Sequence, residues 1–229
     1  MLFYLMKTLK LGDKNNDVIL LQKKLNINAD GIFGKQTELA VKVYQNKHGL
    51  VADGIVGKKT WNKIMESDIK IIEHEYKFKS PLKKRSKTSE IILHCSATPE
   101  GKDFTVDTIH RWHIERKFSG IGYQYVIYRD GSIHRGRPED AAGAHATDHN
   151  SISIGICYIG GTDKDGKAKD TRTVEQKESM YKLVKYIMEK YNLTEQNIYC
   201  HNDFSNKACP SFKRNVFIEE FYKYINQNK

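Results

Sequence analysis

Missing from this chain is any run of about 18 apolar residues of the kind a membrane-spanning helix needs. Its apolar start, Met1 to Met6, is too short for the core of a secretion signal, and the first cation, Lys7, follows that stretch instead of preceding it. No span and no export signal are therefore expected. Cysteine is sparse: Cys95, Cys157, Cys200 and Cys209 sit in apolar or motif-like stretches without regular spacing. That argues against a disulfide framework and for reduced thiols or a metal ligand. Acidic residues fall short of basic ones, 28 against 38, which leaves a net charge of +10. Such an excess favours polyanions, whether nucleic acid, anionic membrane or acidic wall polymer, and does not choose among them. What the chain does have is 39% hydrophobic and 10% aromatic residues over 229 positions. Global disorder is excluded, and the length suits one large domain or two smaller ones.

Residues 1–66 contain a repeat. Ala29-Asp-Gly-Ile-Phe-Gly34-Lys-Gln-Thr37 returns as Ala52-Asp-Gly-Ile-Val-Gly57-Lys-Lys-Thr60. Each copy is a glycine-bearing loop feeding a helix start. Asp17 is expected to cap a first helix carrying Val18, Leu21 and Leu25. Thr37, Ala40, Val41 and Tyr44 follow helical spacing in a second, with Gly49 as its stop. A third from Lys58 is expected to bury Trp61, Ile64 and Met65. Three short helices make a small bundle of marginal independent stability. The spacing of a nucleotide-binding phosphate loop is absent. The duplicated D-G-I-x-G-x-x-T pattern resembles the peptidoglycan-binding domain that accompanies many cell-wall hydrolases, which implies a non-catalytic wall anchor over about residues 8–66. Residues 67–88 lose clear periodicity, and the basic, proline-containing stretch Lys77 to Lys87 reads as a linker. A nucleic-acid patch there lacks interleaved aromatics, so no nucleic-acid partner is expected.

From residue 89 to 229, strands and helices mix. Glu90 to Ser96 is an apolar run with a polar tip. Thr105 or Asp107 can cap a helix carrying Ile109, Trp112 and His113. Gly122 to Tyr128 alternates, Asp130-Gly131 suggests a primed hairpin turn, and residues 132–135 return. A loop holding His145 and Asn150 leads into the strand Ser151 to Ile159. The polar loop that follows lacks the ligand spacing of a calcium site. Thr173-Val-Glu-Gln176 is a capping box, opening a helix with Met180, Tyr181, Val184, Ile187, Met188 and Tyr191 on one face. Asn197 to Cys200 is a strand that delivers His201, and Lys207-Ala-Cys209 is expected to run extended before Pro210. Phe217, Phe221 and Ile225 mark a terminal helix. The class is α/β or α+β, with one mixed sheet covered by helices.

His94 and His201 each end an expected strand, and with Cys209 they make a set of two imidazoles and a thiol. Three N and S ligands suit a catalytic zinc, which leaves a position for water; spacing alone leaves that assignment open. Copper would need an axial Met and an electron-transfer role, whereas Lys207 points to oxyanion chemistry. Leu93-His94-Cys-Ser-Ala-Thr98, Gly122-Tyr123-Gln-Tyr, Arg129-Asp-Gly131, Gly143-Ala-His145-Ala, Asn150 to Gly155 and His201 to Pro210 occur in an order that resembles bacteriophage-type N-acetylmuramoyl-L-alanine amidases. These share a fold with peptidoglycan-recognition proteins, so the resemblance implies an α/β mixed sheet covered by helices. It also implies His94, His201 and Cys209 as Zn2+ ligands and Tyr123 and Lys207 as catalytic groups. His145 and Asn150 are candidates for contact with glycan or stem peptide, with a turn-stabilising role as the alternative. Retention of the Cys209 thiol favours catalysis over a silent receptor. Cys95, Cys157 and Cys200 are expected to be packing residues. The implied partner is bacterial peptidoglycan, cut by a monomeric phage or prophage endolysin made without a signal peptide and released by a separate permeabilising protein. A bacterial autolysin is the alternative.

Overall fold

In the computed structural model, residues 7–66 and 69–227 are described, without the side chains of residues 65 and 66. The apolar start and the expected burial of Met65 lie outside the described residues. Contacts divide the chain into two units, Met1–Ile69 and Lys70–Lys229.

The first unit holds α1 (Asn16–Lys24), α2 (Lys35–Lys47) and α3 (Lys58–Glu66). Leu9, Val18, Leu21, Phe33, Val41, Val56, Trp61 and Ile64 form its core. Asn15, not Asp17, caps α1: its side-chain oxygen accepts the Asp17 and Val18 N–H groups at 2.9 and 3.2 Å. Asp17 falls one position inside the helix, where a carboxylate still complements the positive end of the helix dipole. The repeat reaches further upstream than its loops. Gln22 Nε2 donates to Asp30 Oδ1, the Ile32 carbonyl and Thr37 Oγ1 at 2.8, 3.0 and 3.0 Å, while its Oε1 accepts the Gly31 N–H. Gln45 does the same with Asp53, Ile55, Thr60 and Gly54. Gly31 and Gly54 sit at φ of 76° and 77°, which a side chain would resist.

The second unit is built on a six-stranded sheet. Its strands are β1 (Ile71–Ile72), β2 (Glu90–Cys95), β4 (Tyr125–Ile127), β5 (Ile133–Arg135), β6 (Ser153–Tyr158) and β8 (Ile198–Cys200), in the order β1-β5-β4-β6-β2-β8. A two-stranded parallel ladder joins β3 (Thr98–Pro99) to β7 (Gly161–Thr162). Within the large sheet only β4 and β5 pair antiparallel. The central strands β2 and β6 are buried on both faces apart from Glu90 at the start of β2, as expected where helices cover a mostly parallel sheet. Here α4 (Val106–Glu115) packs Val106 and Ile109 with Val126, Cys157 and Ile159, while α5 (Val174–Tyr191) and α6 (Arg214–Gln227) lie against β4 and β8.

Three further expectations change. Residues 70–88 are not a free linker. β1 pairs with β5, Lys79 N–H donates to the Ser119 carbonyl at 2.8 Å, Arg85 N–H donates to the Asp140 carbonyl at 2.7 Å, and the Arg85 side chain is buried. Tyr76 and Phe78 pack against the α4 cluster while Lys77 between them and Lys79 after them stay exposed. That is a period of two, the pattern of a docked extended segment. The hairpin after β4 is a three-residue loop closed by Tyr128 N–H to the Ser132 carbonyl at 2.9 Å. Only Gly131 has positive φ there, at 83°, so the turn is not type I′. Lys207 to Cys209 forms no strand. A 3₁₀ turn, His201–Asp203, is followed by bends, and Ser211 N–H closes back on the Ala208 carbonyl at 2.6 Å. The polar backbone is satisfied locally, so no partner strand is needed.

Candidate metal centre and active site

His94 is the fifth residue of β2 and is 1% exposed. β8 runs parallel beside β2 and ends at Cys200, which puts His201 next to it; the two ring centroids are 4.7 Å apart. The 201–209 segment then folds back until Cys209 Sγ lies 3.7 Å from His94 Nδ1. The Cys95 N–H, one residue beyond His94, donates to that sulfur at 3.3 Å. One donor atom from each of His94, His201 and Cys209 falls within 4.8 Å of the others. Sequence separation is large, and parallel strand pairing removes it.

The protonation states suit a cation. Burial, reinforced by His145 and His201, holds His94 well below the usual imidazole range. Burial and the Lys207 charge lower His201. Both are therefore neutral near pH 7 with lone pairs to offer. The Cys209 thiol is raised by its hydrogen-bonded neighbour Cys95 and by burial, so a cation would have to displace its proton. For His94 Nδ1 to face that cation, its Nε2 must carry the ring proton and donate to His145 Nδ1, 3.0 Å away.

His145 has space for this only because of two glycines. A Cβ on Gly143 or Gly155 would lie 2.3 or 2.7 Å from the His145 Cδ2. Its backbone is held by Asn150, whose Oδ1 accepts the His145 and Ala146 N–H groups at 2.7 and 3.0 Å. The side chains of both candidate substrate contacts are thus engaged within the protein. Burial and the charges of His201 and Arg137 push His145 down to about 3.

Tyr123 lies just before β4, its ring centroid 5.1 Å from that of His94. Burial and the nearby Cys157 and Cys209 thiols raise its hydroxyl well above the ordinary range, so it is a hydrogen-bond donor at neutral pH. Lys207 is exposed, close enough for its charge to depress both histidines. Three residues that sequence reasoning did not place here hold this arrangement. Gln124 Oε1 accepts the Gly155 N–H at 2.8 Å, and His113 Nδ1 accepts the Gly122 N–H at 2.9 Å. Arg137 donates to the Ile121 and Ala142 carbonyls, both at 2.8 Å. Gln124 stands inside the Gly122-Tyr123-Gln-Tyr motif, but nothing in spacing says what it bonds. Cavities of about 340 and 280 Å3 lie elsewhere, lined by groups such as Glu73, Tyr76 and Arg135 or Phe104 and Tyr128.

A family model for N-acetylmuramoyl-L-alanine amidase matches residues 84–212. The chain belongs to this family. It is therefore an amidase and not a silent receptor, in keeping with the retained thiol. A second model, for a peptidoglycan binding domain, matches residues 14–64 of this amidase. The endolysin of Klebsiella phage KP32 is 39% identical over 129 residues, 56% of this chain and 84% of the relative. That of Escherichia phage T7 is 38% identical over 130 residues, 57% and 85% of the two chains. Among solved structures, the endolysin N-acetylmuramoyl-L-alanine amidase LysCS from Clostridium intestinale aligns at a TM-score of 0.58 and 33% identity, covering 69% of this chain and 95% of that one. Drosophila PGRP-LB, at a TM-score of 0.54 and 22% identity, shares the fold.

Proposed function

We propose that the amidase hydrolyses the bond between N-acetylmuramic acid and L-alanine in bacterial peptidoglycan, with zinc held by His94, His201 and Cys209. The observation that carries this reading is the convergence of those donors beside a protonated Tyr123. Two imidazoles and a thiolate suit zinc, whose softness accepts both ligand types. When bound, zinc supplies a Lewis acid that polarises a carbonyl and brings the pKa of water to about 7. The chain does the rest. Tyr123 donates a hydrogen bond toward the oxygen on which negative charge develops, and Lys207 adds a cation there; one such donor is worth about 3–4 kcal/mol. His145 accepts from His94 and so fixes its ring orientation, a positioning role in place of direct contact with glycan or peptide. Asn150 holds the loop that carries His145.

The first unit keeps the enzyme on its insoluble substrate, raising local concentration, and the positive charge favours an anionic wall. An endolysin, acting as a monomer on the wall after release by a separate permeabilising protein, fits the phage relatives. Mass spectrometry of digested sacculi tests the reading: new N-terminal L-alanine is expected from the wild-type protein and none from Cys209→Ser. Walls that bind the wild-type protein yet release no amine would overturn it.

A further inference from the structure

His201, Cys209 and Lys207 come from the segment 201–209 and the His94 partner His145 from the loop 143–150, two stretches without a long regular element to fix their position. Between the ligands His201 and Cys209, the segment is held internally by weak local bonds. The His201 carbonyl accepts from Phe204 N–H at 3.2 Å and from Ser205 Oγ at 3.1 Å, and Asn202 Nδ2 reaches the Ala208 carbonyl at 3.3 Å. Phe204 is 37% exposed, a poor place for a phenyl ring unless a contact holds it there. The contact is His149. The two rings stack with centroids 3.8 Å apart and planes at 29°. Phe204 also lies 5.0 Å from Tyr199 of β8, centroid to centroid.

His149 is itself anchored twice. Its Nδ1 meets Glu90 Oε2 at 2.7 Å, and Glu90 opens the strand that carries His94. Its carbonyl accepts from Ser153 Oγ at 2.7 Å, and the same hydroxyl lies 3.5 Å from His145 Nε2. His149, a residue of the loop that carries His145, therefore joins that loop through its ring to the root of the His94 strand and to the segment that carries His201, Lys207 and Cys209.

We propose that Glu90, His149 and Phe204 form a clasp that sets the spacing of these pieces, with His149 and Phe204 as positioning residues for the metal centre. This rests on the reading that zinc is held by His94, His201 and Cys209. Metal ligands must be kept within about 0.5 Å of their working geometry by their surroundings, and losing an outer partner typically weakens metal binding about 10–100-fold.

The test is zinc affinity of the full-length protein, measured by competition with a chromogenic chelator, beside the thermal midpoint of the metal-free chain. Phe204→Ala and His149→Ala are each expected to weaken zinc binding about tenfold. The double variant should lose much less than the product of the two single losses, because both break the stack they share. Phe204→Tyr keeps the stack and should recover most of the affinity, whereas His149→Phe keeps the stack but loses the Glu90 bond and should recover only part of it. If Phe204→Ala fails to fold, Phe204→Leu takes its place, with the same loss expected. A ring pair that only stabilises the surface would lower the midpoint and leave zinc affinity untouched; that result, or additive losses in the double variant, overturns the clasp. A wild-type chain that takes up no zinc would instead sink the metal centre, and the clasp with it.

Discussion

Burial keeps His113 neutral near pH 7, and with the charges of Arg116 and Arg137 nearby it is pushed down to about 4. Its Nδ1 accepts the Gly122 N–H, one residue before Tyr123. In the unfolded chain the same imidazole titrates at 6.5. The unfolded state therefore takes up a proton first as pH falls, and the stability present above about 6.5 drains away toward pH 4, by about 3 kcal/mol in all. Thermal unfolding should show a midpoint that drops between pH 7 and 4.5, and His113→Gln should flatten that slope; a wild-type midpoint insensitive to pH would refute the assignment. Tyr123 and Lys207 make a separate prediction. Tyr123→Phe and Lys207→Ala should each cut kcat by about 10²–10³, with sedimentation on walls unchanged. A loss of wall binding equal to the loss of turnover would show that these side chains hold substrate and do not act on its transition state.

At the scale of elements, the devices that end and join the helices differ in how openly the chain announces them. The capping box at α5 is local: Thr173 Oγ1 accepts the Gln176 N–H at 3.0 Å and Gln176 Oε1 accepts the Thr173 N–H at 3.0 Å. Four consecutive residues suffice to read it. Gln22 and Gln45 are not legible in the loops because each lies a helix end away from the loop it serves, although the repeat copies them faithfully. Gln45→Ala would strip partners from the buried Gly54 N–H and from Thr60, both inside the first unit. The cost expected is about 2–4 kcal/mol, read by denaturant unfolding of that unit. Gln22→Ala should cost a similar amount, since its bonds are the same; a difference of several-fold would mean that the two repeats are not equivalent.

For the whole molecule, the boundary between units decides what can be removed. A cut before Lys70 retains β1, the Tyr76 and Phe78 side chains and buried Arg85. A cut before Ser89 discards all of them and exposes the β5 edge. Residues 70–229 are expected to fold, to cleave soluble muropeptide, and to pellet less well with walls. Residues 89–229 are expected to unfold at a clearly lower temperature. Equal midpoints for the two truncations would restore the view of 70–88 as a passive linker.

The sequence by itself determined the repeat, the helices of the first unit, the capping box of α5, the amidase motifs and the identity of three residues able to hold a metal. Those features are local or periodic, and a helix face or a capped turn is written within a few residues. Tertiary structure decided the rest. Parallel pairing of β2 with β8 set His94 beside His201, and the fold-back to Cys209 completed the donor set. Gly143 and Gly155 opened room for His145, which meets His94. The stretch after residue 70 joined the second unit because Ile71 and Ile72 paired with β5 and Tyr76 and Phe78 found a core to enter. Contacts between residues distant in sequence depend on which surfaces meet when the sheet assembles, and no window along the chain contains that information.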